Sequence, residues 1–307
     1  MTTASRTPAP AHDRAPAPDR APAHRTAAVR TLLRNRLAVA ALAFLALVVI
    51  CALLAPLVAP TDPNAQDLLA RLRPPAWQDG GSGAHLLGTD QLGRDLLSRV
   101  VYGTRVSLLV GAGAALLAGV IGTVIGLASG YFGGWPDRVL MRLADVQLAF
   151  PAILLALAIV GFLGSGLWYV ILVLGVTGWV SYARVVRSEV LSLRSRDFIT
   201  EAHAIGVGHT AIMRRHLLPN VMAPLATIGT LHVAAAVVAE ASLSYLGLGV
   251  PKETVTWGSM LADGQLYLGT SWWVAVFPGI ALMLTSLAVN ITGDALRDVA
   301  DPKAYRR

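Results

Sequence analysis

The chain has 307 residues, 55% hydrophobic and only 14% charged, with a mean hydropathy of +0.59. Soluble domains carry about a quarter charged residues, so this composition excludes an ordinary soluble domain and indicates a polytopic membrane protein. The formal net charge of +7 does not point to nucleic acid, because the basic residues flank hydrophobic runs and form no single patch; the single Cys51 excludes an internal disulfide.

Residues 1–30 are rich in Ala, Pro, Arg and His and nearly free of bulky apolar side chains. Such a segment cannot bury enough surface to offset its ordering entropy, so it is expected to be a disordered cytoplasmic tail. It does not read as a signal peptide, since the apolar run begins only near residue 37 and is too long for one. Residues 31–307 read as one all-α membrane domain, a bundle of six transmembrane helices near 37–59, 107–129, 146–163, 167–186, 221–243 and 272–291. Crossing the hydrocarbon takes roughly 20 helical residues, and helices satisfy their own backbone groups in lipid. The third span is short, with Pro151 near its start, and Gly164-Ser165-Gly166 joins it to the fourth in a tight hairpin. With both termini inside, 19 of the 25 Lys and Arg residues fall on the cytoplasmic side, the arrangement that the positive-inside rule favours.

Within the second span Gly122, Gly126 and Gly130 recur every four residues, flanked by Ala115 and Ala118. One small face of this kind lets helix backbones approach closely in lipid, so these three glycines are the candidate packing residues. Before that span, residues 85–107 are dense in Gly, Asp and Arg and read as an ordered extracytoplasmic segment, Leu92, Leu96 and Leu97 giving it an apolar stripe. His85, Asp90 and Asp95 match no metal-site spacing and serve as well as caps and ion pairs; no metal is expected. Glu240, alone among the acids, lies within or at the outer end of a span, and intramembrane acids are costly and usually functional. It is the candidate pathway residue, with a structural role for neighbouring serines as the plainer reading.

Between the fourth and fifth spans, residues 191–219 form a long polar stretch with a helical pattern, bracketed by Gly206 and Pro219. Asp197 can cap a short helix with Thr200 and Glu201 in its first turn. Gly206 and Gly208 break that helix, Ile212, His216, Leu217 and Leu218 give a second amphipathic piece, and Pro219 suits the first turn of the next span. The two lysines, Lys252 and Lys303, follow no phosphate-binding glycine loop, so any ATP hydrolysis must come from another subunit.

The spacing Glu201-Ala202-x3-Gly206-x12-Pro219 resembles the "EAA" loop of ABC importer permeases. Further segments, in order, resemble the C-type permease subunits of dipeptide, oligopeptide and nickel importers. They are His85 onward with Gly-Thr-Asp-Gln-Leu-Gly-Arg-Asp, residues 133–151, 179–187, 240–249 with 257–261, and 278–279 with 290–302. The resemblance runs from about residue 37 to 302. It implies a non-catalytic permease subunit of the bacterial inner membrane, without cofactor. Its partners would be a homologous permease, two ATP-binding cassette subunits and an extracytoplasmic substrate-binding protein. The ATPase contact would lie on Asp197, Phe198, Thr200, Glu201, Ala202, Gly206 and Pro219. One departure stands out: the family's Glu-Ala-Ala positions hold Thr200, Glu201 and Ala202, so the acid sits one residue late, a rotation of about 100° on a helix. The implied substrates are dipeptides or oligopeptides, with nickel or another small solute as the alternative. An ion-coupled secondary transporter would show acids on several spans or an internal repeat, and a membrane enzyme would show polar residues clustered at one depth; neither pattern is present.

Overall fold

The computed structural model describes residues 35–300 except residue 252; the tail at 1–30 lies outside them. The described residues are helical, their only strand-like pairing a bridge between Thr89 and Asp95. Helix α1 (Arg36–Leu53) starts where the Asn35 side chain accepts the Leu37 and Ala38 amides. A short α2 (Ala55–Val58) follows, with proline in its first turn.

Helix α3 (Leu96–Phe132) has 37 residues, about 55 Å at 1.5 Å per residue, well beyond a bilayer core. It begins eleven residues before the expected second span because Asp95 caps it, accepting the Ser98 amide at 2.8 Å. It stops at Gly133 and Gly134, with φ of +63° and +57°, angles that glycine adopts without penalty.

The expected third span is broken. Helices α4 (Gly134–Leu148) and α5 (Ala152–Leu163) meet at 90°. Pro151 supplies no amide and disfavours helical angles at Phe150, so the chain turns between them. With 12 residues, α5 is about 18 Å long and too short to cross alone. Gly164 at φ +91° then leads into α6 (Leu167–Leu193).

Beyond the polar stretch come α7 (Asp197–Ala204) and α8 (His209–Ile212). A π-helical turn over Met213–Leu217 runs into α9 (Leu218–Tyr245). Helices α10 (Trp257–Gly264) and α11 (Trp273–Ala300) complete the chain. Among the described residues, five helices are long and apolar enough to cross a membrane, six counting the α4–α5 pair as one span.

The most extensive packing joins α3 to α6. A Cβ at Gly126 would come 2.6 Å from the Ala183 carbonyl oxygen, and one at Gly130 would come 2.9 Å from Val190 Cβ. Gly122 faces Trp179 and Tyr182 in the same way. The small face of α3 therefore lies directly on the backbone of α6. Helix α9 packs on α3 and α11, and α11 on α1 and α10.

At the end of the bundle carrying residues 59–95, that loop folds over the helix ends. His85 donates to Asp95 at 3.0 Å, and Arg94 donates to Asp90 at 2.6 Å. Arg99 is buried and also reaches Asp90 and the Pro63 carbonyl. Of the acids named with His85 in the sequence, Asp90 thus stands in ion pairs with Arg94 and Arg99, and Asp95 accepts hydrogen bonds from His85 and Ser98. Thr256 caps α10 through a reciprocal pair with Ser259, and Trp257 donates to the Val100 carbonyl at 3.0 Å, which seats α10 against α3.

Candidate functional site

At the opposite end, residues 194–219 form an elbow. Arg194 closes α6 and donates to the Gly130 carbonyl at 3.2 Å, joining the last turns of α6 and α3. Nearby, Arg187 grips Asp137 with two charge-assisted hydrogen bonds of 2.6 and 2.7 Å, and Ser129 donates to the same carboxylate. Bidentate pairs of this kind fix orientation as well as adding energy, so the α3–α4 turn and α6 make one platform. Farther along, α4 stays tied to α6 through Gln147, which donates to the Thr177 carbonyl and accepts from Trp179.

The elbow sits on this platform through one apolar face. Ile199, Ala202, Ile212 and Leu217 are buried together with Val186, Val190 and Leu193 of α6 and Val221 of α9. Burying Ile199 and Ala202 turns the other side of α7 outward. Phe198, Glu201 and Ile205 follow the i, i+3, i+7 spacing of one helical face. All three are exposed, Ile205 at 79%, and Thr200 lies exposed beside them. The acid that is one residue late in sequence is thus part of the outward face.

The bend itself follows from Gly206, whose φ is +80°. Its amide donates to the His203 carbonyl and the Val207 amide donates to Ala202, each at 3.0 Å, the paired pattern that ends helices at a left-handed residue. Val207 returns to the buried cluster beside Ala202. Gly208 has φ −63° and needs no glycine-specific angle, so Gly206 alone makes the bend.

Two local expectations are corrected. Asp197 is the first helical residue and not the cap: Arg196 occupies that position and no side chain caps the helix, which leaves the carboxylate to interact with the helix dipole alone. The second amphipathic piece is not separate but continues through the π turn into α9. Pro219 explains this, since its ring collides with the carbonyl four residues back; the wider turn, in which the Leu218 amide donates to Met213, gives it room.

Sequence reasoning missed the clamp on the elbow. The Tyr131 hydroxyl, on the last turn of α3, lies 3.2 Å from His203 Nε2 and 2.7 Å from His209 Nδ1. A hydroxyl has one proton to give, so at least one of the two imidazole rings donates to it. No local pattern signalled this in the sequence, since Tyr131 lies 72 and 78 residues from the two histidines.

Glu240 lies at the other end of the bundle, fully buried, accepting from Ser244 at 2.7 Å and facing Ser107 of α3 at 3.5 Å. It joins α9 to α3 and lines neither of the two larger cavities between the helices.

Residues 122–306 match the family of binding-protein-dependent transport system inner membrane components, and residues 26–75 match the N-terminal TM domain of oligopeptide transport permease C. The chain is 42% identical to the di/tripeptide transport system permease protein DppC of Pseudomonas aeruginosa, over 88% of this chain and 89% of that protein. It is 43% identical to the dipeptide transport system permease protein DppC of Escherichia coli, over 88% and 90%. To the glutathione transport system permease protein GsiD of Pectobacterium atrosepticum it is 39% identical, over 89% of each. In fold it resembles the MetNI methionine ABC transporter in an inward-facing conformation, with a TM-score of 0.56 and 21% identity, covering 66% of this chain and 97% of the other.

Proposed function

Since the chain belongs to the family of inner membrane components of binding-protein-dependent transport systems, we propose that it is the permease subunit of an ATP-driven peptide importer, and that the α7 elbow is its contact with an ATPase. The observation that carries this reading is the elbow's asymmetry. One face is sealed onto the α3–α6 platform, while the other presents Phe198, Glu201 and Ile205. An exposed apolar pair around an acid is a surface suited to a partner, and the platform behind it can carry movement of the elbow into the bundle.

The chain has no phosphate-binding loop and performs no covalent chemistry, so the ATPase subunits supply the energy. A second, homologous permease completes the path and an extracytoplasmic binding protein delivers solute. Movement of the docked ATPases tilts the platform between inward- and outward-open arrangements. The excess of Lys and Arg around the elbow and the chain ends supports a cytoplasmic elbow and cytoplasmic termini in the bacterial inner membrane.

The peptide relatives support dipeptides or oligopeptides as the substrate. Uptake of labelled di- and tripeptides by a strain lacking this chain, with and without a plasmid copy, tests it. Restoration of peptide uptake is expected; restored uptake of Ni2+ but not peptide would overturn the substrate class.

A further inference from the structure

A cavity of about 320 Å3 lies between the start of α5 and the middles of α6 and α9. Its wall is mostly small and apolar, with Ala152 and Ala156 from α5, Leu174 from α6 and Ala235 from α9. Two polar side chains interrupt it. Ser181 stands 14 residues from the start of α6 and 12 from its end, and His232 stands 14 and 13 residues from the ends of α9. His232, half-buried, is therefore near mid-membrane depth, whereas Ser181, exposed in this chain, lies five residues inside the expected end of the fourth span at 186. Among the described residues neither side chain makes a hydrogen bond, whereas the Thr177 hydroxyl on the same wall is committed to the Val173 carbonyl at 2.9 Å.

A polar group at the depth of His232 is costly unless it finds a partner. The space beside it is preserved by sequence: any Cβ on Gly178 would collide with His232 Nε2. The α4–α5 break opens the cavity's third side, because a straight helix through residue 150 would carry Ala152 elsewhere. An acyl chain would leave both polar groups unpaired, and a lone imidazole is too few ligands for a metal ion. The volume is at the small end for ligand pockets, which suits a short solute with hydrogen-bonding groups along a chain of small side chains.

We propose that this cavity is a resting place on the transport path, where His232 and Ser181 hydrogen-bond the backbone of a di- or tripeptide and the alanine wall takes its side chains. The inference rests on the peptide-permease reading. His232 donates or accepts according to tautomer, and the serine hydroxyl does both, so the pair fits any peptide backbone without selecting side chains.

The test uses the assembled importer, with its ATPases and binding protein, and labelled tri-alanine as the probe. His232→Leu is expected to raise the KM for uptake five- to twenty-fold and Ser181→Ala two- to five-fold, with ATPase recovery unchanged. Should His232→Leu fail to assemble, Ala235→Cys in a Cys51→Ser background gives a second readout: turnover of tri-alanine should slow its labelling by a small maleimide at least three-fold. Normal uptake by both polar variants, or labelling indifferent to tri-alanine, would overturn the site. Failure of the unaltered importer to take up tri-alanine would instead overturn the peptide reading, and this inference with it.

Discussion

The Tyr131 hydroxyl lies 2.7 Å from Nδ1 of His209, across the bend from its second contact at His203. One phenol therefore holds both limbs of the elbow against the end of α3. This clamp sets the elbow's angle to the platform, as Gly206 sets the angle between its limbs.

Removal of that hydroxyl should loosen the elbow without unfolding the bundle. Tyr131→Phe keeps the ring and deletes both hydrogen bonds, each contributing about 1 kcal/mol. Amide hydrogen exchange across residues 196–212 should quicken several-fold, with exchange in α3 and α6 unchanged. An unaltered elbow would mean that its apolar face alone holds it.

The ion pairs between α4 and α6 should differ in strength. Asp137 and Arg187 are bidentate and 17% and 33% exposed, whereas Asp145 and Arg184 make a single contact at 57% and 49%. Solvent screens the second pair far more. Double-mutant cycles on thermal unfolding should give a coupling of about 1 kcal/mol or more for the first and near zero for the second. Equal couplings would contradict this.

The glycine face of α3 was legible because period-four small residues have one physical use in a long apolar helix, and the structure places Gly122, Gly126 and Gly130 against α6. Periodicity also located the long helices, but not the 90° break at residues 149–151: apolar character continues through Phe150 and Pro151, so composition registers one span where backbone geometry makes two pieces. For the elbow, the sequence pointed to Gly206, Phe198 and Glu201, but it also pointed to Ala202, which is buried, and passed over Ile205, which is exposed. It did not give the clamp, since Tyr131 lies 72 residues from His203, or the π turn, which follows from Pro219 meeting a continuing helix.

Close packing at those glycines carries a stability prediction. Gly126→Val puts atoms into the Ala183 carbonyl and Val186, and overpacking of this kind costs about 1–3 kcal/mol. The detergent-solubilised complex should lose several degrees of Tm. Gly161→Val in α5, where nothing lies within 4 Å of the new Cβ, should lose little. Similar losses at both positions would mean that the α3–α6 contact is not special.

Orientation is open to direct labelling. In a Cys51→Ser background, Asp79→Cys in the long loop should react with a membrane-impermeant maleimide on intact cells. Ile205→Cys, 79% exposed on the elbow, should react only after permeabilisation. Surface labelling at position 205 would reverse the topology.

The most direct measurement is recovery of the ATPase subunits with elbow variants, alongside peptide uptake. Gly206 has φ +80° with open space around it, so a side chain there meets backbone strain and no clash. A left-handed angle costs L-residues roughly 1–2 kcal/mol, and asparagine bears it best. Gly206→Val should leave the chain inserted and paired with its partner permease but reduce ATPase recovery and uptake at least ten-fold, while Gly206→Asn retains most of both. Full ATPase recovery and uptake with Gly206→Val would contradict the elbow's role as the ATPase contact.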